Sequence, residues 1–303
     1  MHEKYRRYAN ATAADTPSIN RLLDYCYDLL PLDGDSALRL IDRAAQLSQQ
    51  LQYAFGKGRT VTLRGMVYSD RGQYDSAILL YEQALSYFQA LRNDLEIGKV
   101  YNNLGNVYHF QEMLQEAMAL YLQSAAALER ASASHYLAAI YTNIANVFQS
   151  LKQYEKGLTY TDKAEAIARR YGDSERLVNV LISRSVGQHN LHQAAASYQS
   201  TLEAMRLSDR IGYLIGSQVT RQNLADDLTG RQQYDSALYY LQAAAPLARR
   251  TGDPYYLSGL YMTYARVYAD LHQHTLARDY ALKVIAVSKH CDTRATSPVP
   301  TTC

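Results

Sequence analysis

The sequence repeats itself at a fixed interval, and this period limits the folds that the chain can adopt. Asp-Ser-Ala occurs at residues 35, 75 and 235, and the longer string QYDSA begins at residues 73 and 233. Small residues also recur at steps of 40 positions: Gly65, Gly105, Ala145, Ser185, Ala225 and Ala265. No insertion or deletion is needed to keep this register from about residue 35 to about residue 290. Such self-similarity is typical of a repeat protein, in which each unit packs against its neighbours.

Each 40-residue unit has the pattern of two helices. In the unit around residue 105, apolar and small residues have the i, i+3, i+4, i+7 spacing of one helix face: Tyr101, Leu104, Gly105 and Tyr108. A second stripe, from Ala117 to Leu128, predicts a second helix. The small residues indicate where the two helices cross closely, and Gly72 and Gly230 are predicted to end first helices in the left-handed conformation. No segment of strand length alternates with a period of two, so the sequence predicts an all-α chain.

Composition excludes several classes of partner and location. The formal net charge of the 303 residues is +2, which argues against a nucleic-acid partner, since phosphates require a basic surface. There is no apolar run of the roughly 18 residues that a membrane span requires, and the first 18 residues lack the apolar stretch of a signal peptide. Three cysteines, Cys26, Cys291 and Cys303, are too few and too far apart for a disulfide framework. The expected location is the cytoplasm.

The sequence contains little that indicates catalysis. GKGRT at residues 56–60 lacks the spacing of a phosphate-binding loop. Two histidine pairs, at 189 and 192 and at 272 and 274, have no carboxylate or thiolate at metal-binding spacing. An enzyme would need a cluster of titratable groups in a pocket, and only Asp226 and Arg266 are suggested as neighbours by their 40-residue separation. We therefore expect no enzymatic activity, no cofactor and no metal.

The positions of the apolar and small residues resemble the tetratricopeptide repeat: Tyr101, Leu104, Gly105, Tyr108, Ala117, Tyr121 and Ser124. The period exceeds the usual one of about 34 residues, and in this respect it is similar to the longer helices of kinesin light chains and of peptide-sensing bacterial regulators. The resemblance covers residues 18–290 and implies a right-handed α-solenoid of about seven helical hairpins. The polar residues 1–17 are predicted to form an arm, and residues 291–303, with two prolines and no apolar period, a disordered tail. It is weakest at residues 171–210, where polar residues replace the expected apolar ones, so this unit is predicted to be the loosest.

Asparagine occurs selectively on the first helix of several units, on the face away from the predicted core. Asn103, Asn143 and Asn223 share one repeat position, and Asn106, Asn146 and Asp226 share the position three residues further on. Asparagine costs about 0.5 kcal/mol relative to alanine in a helix, whereas its amide offers both a donor and an acceptor for a peptide unit. The column resembles the asparagine ladders of O-GlcNAc transferase and of peptide-sensing tetratricopeptide proteins. The alternative interpretation is a hydrated groove in which these asparagines occur by chance.

These patterns favour a non-catalytic module that binds a protein or a peptide in the concave groove that the resemblance implies for the first helices. In this interpretation the asparagines bind the backbone of an extended ligand, and Arg59, Lys99 and Arg266 are available for acidic side chains or a C-terminus. The alternative is that the chain is the sensory or regulatory region of a larger bacterial signalling protein, a histidine kinase or a transcription regulator.

Overall fold

The structure, a computed structural model, describes residues 15–30, 32–252 and 254–295. These residues form fourteen α-helices and one short 3-10 helix at Ser134–Tyr136, and no β-strand. The α-helices are α1 Thr16–Leu29, α2 Gly34–Gln50, α3 Ala54–Asp70, α4 Tyr74–Ala90, α5 Asp94–Phe110, α6 Leu114–Arg130, α7 Leu137–Ser150, α8 Tyr154–Tyr171, α9 Ser174–Asn190, α10 Ala194–Ile211, α11 Leu214–Gly230, α12 Tyr234–Thr251, α13 Pro254–Asp270 and α14 His274–Ala295. The predicted all-α fold is confirmed.

Two predicted boundaries are shifted. The first helix begins at Thr16, inside the segment 1–17 that the sequence predicts to be a polar arm. The last helix extends through Ala295, past the end of the solenoid predicted at residue 290, so the first residues of the predicted disordered tail are helical. Residues 1–14 and 296–303, which make up the rest of the arm and of the tail, lie outside the described residues.

The helices pair into seven hairpins, as the period predicts. Odd-numbered helices are the first, or A, helices, and even-numbered helices are the second, or B, helices; hairpin 1 is α1 with α2, and hairpin 7 is α13 with α14. From α2 onwards the helices begin at equal intervals, two to each repeat period, except that the 3-10 helix precedes α7. Within the described part of the chain, no helix is both long and apolar enough to cross a membrane.

The hairpins belong to two compact units. Unit 1 covers residues 1–133 and contains hairpins 1–3, whereas unit 2 covers residues 134–303 and contains hairpins 4–7. Within each unit, the A helices of consecutive hairpins contact one another: α1 with α3, α3 with α5, α7 with α9, α9 with α11 and α11 with α13. Consecutive B helices make no comparable contact in the described ranges. The A helices therefore form the inner side of each unit.

The two helices of hairpins 2 and 3 cross at a glycine. A Cβ atom added to Gly65 would lie 2.7 Å from the ring of Tyr81, and one added to Gly105 would lie 2.6 Å from the ring of Tyr121. Both tyrosines are buried, with exposed fractions of 2% and 0%. A side chain at either glycine would push the helix axes apart, so the small residues predicted at these positions do mark the close crossing.

Later hairpins fill the same two repeat positions differently. Hairpin 4 has Ala145 and Thr161, and hairpin 5 has Ser185 and Thr201, and all four residues are buried. The A helix gains a methyl or a hydroxymethyl group where the earlier hairpins have glycine, and the B helix loses an aromatic ring. Since protein interiors are close-packed, the larger residue on one helix is accommodated by a smaller one on the other.

A residue in the left-handed conformation follows every helix from α2 to α13, at equal steps from residue 52 to residue 272. Four of these residues are glycines: Gly72, Gly172, Gly212 and Gly252. Eight are not: Gln52, Arg92, Glu112, Ser132, Lys152, His192, Gln232 and His272. The left-handed conformation predicted for two glycines is confirmed for Gly72 and wrong for Gly230, which is the last residue of α11. In the turn after α11, Gln232 has the left-handed conformation instead, with φ of 60°. The length of the helix decides where the turn lies.

Hairpin 5 has the polar interior that the sequence indicates at residues 171–210. Ser185 and Ser197 are buried, and the Ser197 hydroxyl donates a hydrogen bond of 2.9 Å to the carbonyl of Ser185. Ser200 donates to Oε1 of the half-buried Gln188 at 2.8 Å. These polar groups are hydrogen-bonded, so they are tolerated inside the protein. Gln188 and Ser200 nevertheless offer less apolar area than the residues at the same positions of the adjacent hairpins, which are Phe148 and Tyr160 in hairpin 4 and Leu228 and Tyr240 in hairpin 6.

We expect hairpin 5 to open before the other hairpins of unit 2. The apolar area that hairpin 5 lacks corresponds to about 1–2 kcal/mol of stability. A less stable segment of a protein opens locally more often than its neighbours do. Native-state hydrogen exchange should therefore show faster exchange for the amides of α9 and α10 than for those of hairpins 4 and 6. Uniform protection across unit 2 would contradict this prediction.

Gly72 and Gly230 provide a matched pair of substitutions for the turns. An added Cβ would meet no atom within 4 Å at either residue, but only Gly72 has a positive φ, 71°. Gly72→Ala should therefore lower the free energy of unfolding by about 1 kcal/mol through backbone strain. Gly230→Ala should raise it by about 0.5–1 kcal/mol, since Gly230 is helical. Urea unfolding measures both, and an equal loss in the two variants would show that strain at the turn is not the cause.

Candidate functional site

The predicted site residues lie on the A helices, on the inner side of each unit. The inner face of unit 1 comprises Arg59 of α3 and Lys99, Asn103 and Asn106 of α5. The inner face of unit 2 comprises Asn143 and Asn146 of α7, Ser183 of α9, Asn223 and Asp226 of α11, and Thr263 and Arg266 of α13. The five asparagines have different surroundings and fall into two groups.

One group of asparagines is tied to the rest of the protein. In unit 1, the hydroxyl of buried Tyr121 donates a 2.8 Å hydrogen bond to Oδ1 of Asn106. In unit 2, the hydroxyl of Ser183 donates a 2.7 Å hydrogen bond to Oδ1 of Asn146, which joins α7 to α9. Asn143 also has an interaction within the chain. Asn106 connects the helices of one hairpin, and Asn146 connects two consecutive hairpins.

The second group consists of Asn103 and Asn223, which share one repeat position. Both side chains are half-buried. In the ranges that the structure describes, neither amide forms a hydrogen bond within the chain. Half-buried polar groups are normally hydrogen-bonded to the protein or to water, so the partners of these two amides come from outside the described residues.

The predicted cations already form ion pairs. Arg59 contacts Asp24 at 2.7 Å, and Lys99 contacts Glu96 at 2.8 Å. Arg266 contacts Asp226, which confirms that these two residues are neighbours. An acidic ligand would have to compete with these carboxylates, so the three cations do not form a ready site for an acidic side chain or a C-terminus.

The ion pair of Asp226 lies partly out of water. Burial raises the pKa of Asp226, and the Arg266 guanidinium, the Thr263 hydroxyl and His189 oppose this rise without cancelling it. Thr263 and Arg266 belong to hairpin 7, Asp226 to hairpin 6 and His189 to hairpin 5. The interaction therefore connects three consecutive hairpins on the inner face of unit 2.

The described residues contain no group of three or more His, Cys, Asp or Glu side chains that could hold a metal ion. Two shallow hollows of 280 and 480 Å³ lie in unit 1, one at residues 72–76 with Gln111 and one between α2, α3 and α4. Neither is lined by the predicted asparagines.

Asn146 and Asn223 should respond differently to removal of the amide. Asn146→Ala leaves the buried hydroxyl of Ser183 without its acceptor and should lower the free energy of unfolding by about 1–2 kcal/mol. Asn223→Ala should leave it unchanged or raise it by about 0.5 kcal/mol, since alanine is the better helix former. Urea unfolding of both variants provides the comparison. A larger loss for Asn223→Ala would show that Asn223 is itself a structural bridge.

The family model of the tetratricopeptide repeat matches residues 58–130, which include most of α3 and all of α4, α5 and α6. No curated protein sequence matches the chain significantly.

Several solved structures share the fold at low sequence identity. The Rap protein complexed with Competence and Sporulation Factor has a TM-score of 0.62 at 13% identity, over 92% of this chain and 100% of that chain. Aspartyl phosphate phosphatase F from Bacillus subtilis has a TM-score of 0.59 at 17% identity, over 94% of this chain and 84% of that one. A tetratricopeptide repeat protein from Parabacteroides merdae has a TM-score of 0.59 at 14% identity, over 92% and 99% of the two chains.

The matched repeats lie in unit 1, and the same pair of helices recurs at 40-residue steps through unit 2. The fold shared over more than nine-tenths of the chain agrees with this periodicity. Residues 58–130 thus match the tetratricopeptide repeat, and the chain shares its fold with solved structures that include a tetratricopeptide repeat protein.

Proposed function

We propose that the chain is a non-catalytic module that binds an extended segment of another protein, or a free peptide, along the inner faces of its A helices. The observation that carries this proposal is the pair Asn103 and Asn223. These asparagines occupy the same repeat position in different units, and both are half-buried on helices. Within the described residues, neither has a hydrogen-bond partner.

An asparagine in this situation is unfavourable for the folded chain alone. It costs about 0.5 kcal/mol of helix stability relative to alanine, and no hydrogen bond within the described chain offsets that cost at Asn103 or Asn223. A primary amide can donate to the carbonyl and accept from the N–H of one peptide unit. Each peptide unit of an extended backbone offers both groups, so a segment bound to the inner face of either unit supplies the partners that the asparagine of that unit lacks.

The asparagines tied to the protein support the same surface in another way. Asn106 and Asn146 hold Tyr121 and Ser183 through their Oδ1 atoms. These contacts fix the side chains that surround the inner faces, and a fixed surface loses less entropy when a ligand binds. The proposal therefore assigns backbone recognition to Asn103 and Asn223, and a positioning role to Asn106 and Asn146.

The comparison with solved structures is consistent with this assignment. The Rap protein that shares the fold was solved in complex with Competence and Sporulation Factor. The paired cations of this chain argue for a ligand that is recognised through its backbone and apolar side chains. Proteins are expected to bind such extended segments through main-chain hydrogen bonds, with side-chain pockets giving specificity.

The test uses short random peptides displayed on phage and selected on the intact chain. Peptides that bind should lose affinity by about 1–3 kcal/mol with Asn223→Ala and with Asn103→Ala, since each substitution leaves main-chain groups of the peptide unpaired. The loss should depend little on salt, because no charge is removed. Fluorescence anisotropy with labelled peptides measures both the affinity and its salt dependence.

Gln83→Ala is a control, because Gln83 is an exposed amide on the B helix α4; it should leave the affinity unchanged. If Asn103→Ala and Asn223→Ala bind the selected peptides as tightly as the native chain does, the inner faces are not the binding surface and the proposal fails.

A further inference from the structure

The larger hollow of unit 1 carries positive charge. It has a volume of 480 Å³ and lies between α2, α3 and α4. Its lining includes Ala45 of α2, Lys57 and Arg64 of α3, and Tyr87 of α4, and we call it the Lys57 hollow. None of the described residues that line it is acidic. Lys57 and Arg59 are two residues apart, which is about 200° around a helix, so the hollow lies on the side of α3 opposite to the inner face.

Three lining positions of the Lys57 hollow have polar groups where other hairpins have apolar residues. At the position of Lys57, hairpins 3, 4 and 5 have a buried aliphatic residue: Ile97, Leu137 and Leu177. At the position of Arg64, hairpins 3, 4 and 6 have a buried aliphatic residue: Leu104, Ile144 and Leu224. At the position of Tyr87, hairpins 3 to 6 have an aliphatic residue: Ala127, Ile167, Leu207 and Leu247. Hairpin 2 thus has two cations and a hydroxyl group where these hairpins have core residues.

The ammonium group of Lys57 has no counterion within the described part of the chain. This separates it from the cations of the inner faces, which form ion pairs. Its side chain is half-buried, and a cation that is partly out of water is unfavourable without a carboxylate beside it. Arg64 contacts one carboxylate, that of Asp42, at 2.6 Å. One of the two positive charges of the hollow is therefore unpaired.

The corresponding position in unit 2 shows which group fits beside the arginine. Three repeat periods after Arg64, Arg184 contacts two carboxylates, that of Asp162 at 2.6 Å and that of Glu165. The first of these has its counterpart in unit 1, whereas Glu165 corresponds to Ala45. A methyl group cannot pair with the arginine. The Lys57 hollow therefore lacks the second carboxylate that the protein itself supplies in unit 2.

We propose that the Lys57 hollow binds an acidic side chain, glutamate or aspartate, from a segment of a partner protein. The carboxylate pairs with Lys57 and Arg64, in the space that Glu165 fills in unit 2. Tyr87, whose hydroxyl has no hydrogen-bond partner among the described residues, offers a further donor. Charge-assisted hydrogen bonds of this kind are stronger than neutral ones.

This second binding surface is separate from the proposed function, because it faces away from the inner faces and recognises a charge instead of a peptide backbone. The hollow is shallow, and a shallow surface covers too little of a free small acid to bind it tightly. A protein segment makes further contacts around the anchored side chain, so we assign the carboxylate to such a segment.

Short phage-displayed peptides with a fixed central glutamate provide the probe. They are selected on the intact chain and then depleted on Lys57→Leu, which introduces the residue found at Leu137 and Leu177 and should not lower the melting temperature. Replacing the central glutamate of a retained peptide by glutamine should weaken binding about tenfold. The difference should shrink at high salt, since both partners are charged and partly exposed. Fluorescence anisotropy with labelled peptides measures these affinities.

A matched pair of substitutions tests the comparison between the units. Ala45→Glu places a carboxylate beside Arg64, as Glu165 lies beside Arg184, and should weaken binding of the retained peptides about tenfold. Ala45→Gln adds a side chain of the same size without the charge and should weaken it less. Lys163→Leu removes an exposed lysine from α8 and should leave the affinity unchanged, which controls for the loss of one positive charge.

Four outcomes would overturn the proposal. If no peptide survives the depletion on Lys57→Leu, the hollow binds no acidic segment. If glutamine serves as well as glutamate, or if Ala45→Gln weakens binding as much as Ala45→Glu does, the charge is not recognised. If free glutarate binds as tightly as the peptides, the ligand is a small acid and not a protein segment. If Asn103→Ala also weakens binding of these peptides, they bind at the inner face, and only the proposed function is supported.

Discussion

The close crossing of the two helices within a hairpin is the contact on which the rest of this structure depends. In hairpins 2 and 3 a tyrosine ring lies against a glycine at a distance that no Cβ atom could occupy. The crossing also sets the inner face, because the hydroxyl of Tyr121 passes the helix and reaches Asn106. Packing inside the hairpin thus decides the orientation of a polar side chain on the face proposed to bind a ligand.

Ion pairs join consecutive hairpins in both units. Arg64 pairs with Asp42 at 2.6 Å, and three periods later Arg184 pairs with Asp162 at 2.6 Å. Partly exposed pairs of this kind contribute about 0–1 kcal/mol each, so their main effect is to fix the position of one hairpin on the next. In unit 2 each arginine of the described A helices likewise lies against a carboxylate.

The sequence predicts most of the fold because the core positions recur at a fixed interval. The residues at 65 and 105 are small because the two helices of a hairpin cross closely there, and the same crossing recurs in every repeat. The turns were predicted less well, since Gly230 is helical and Gln232 takes the left-handed conformation. Because the helices have nearly constant length, each turn falls at a fixed position in the period. Eight residues other than glycine adopt the strained left-handed conformation at these turns. Residue type is therefore a weak guide to these turns.

The sequence by itself determined the helical hairpins, their number and the face on which the asparagines lie, because these follow from periodicity along one chain. Only the tertiary structure decided which asparagines are hydrogen-bonded within the described chain. Asn146 is held by Ser183, whereas Asn223 has no such partner in the described ranges. The tertiary structure also places the side chain of Gln222 against the backbone of Gly259. A hydrogen-bond partner or a close backbone contact comes from another helix, many residues away, and the spacing of residues along one helix carries no information about that approach.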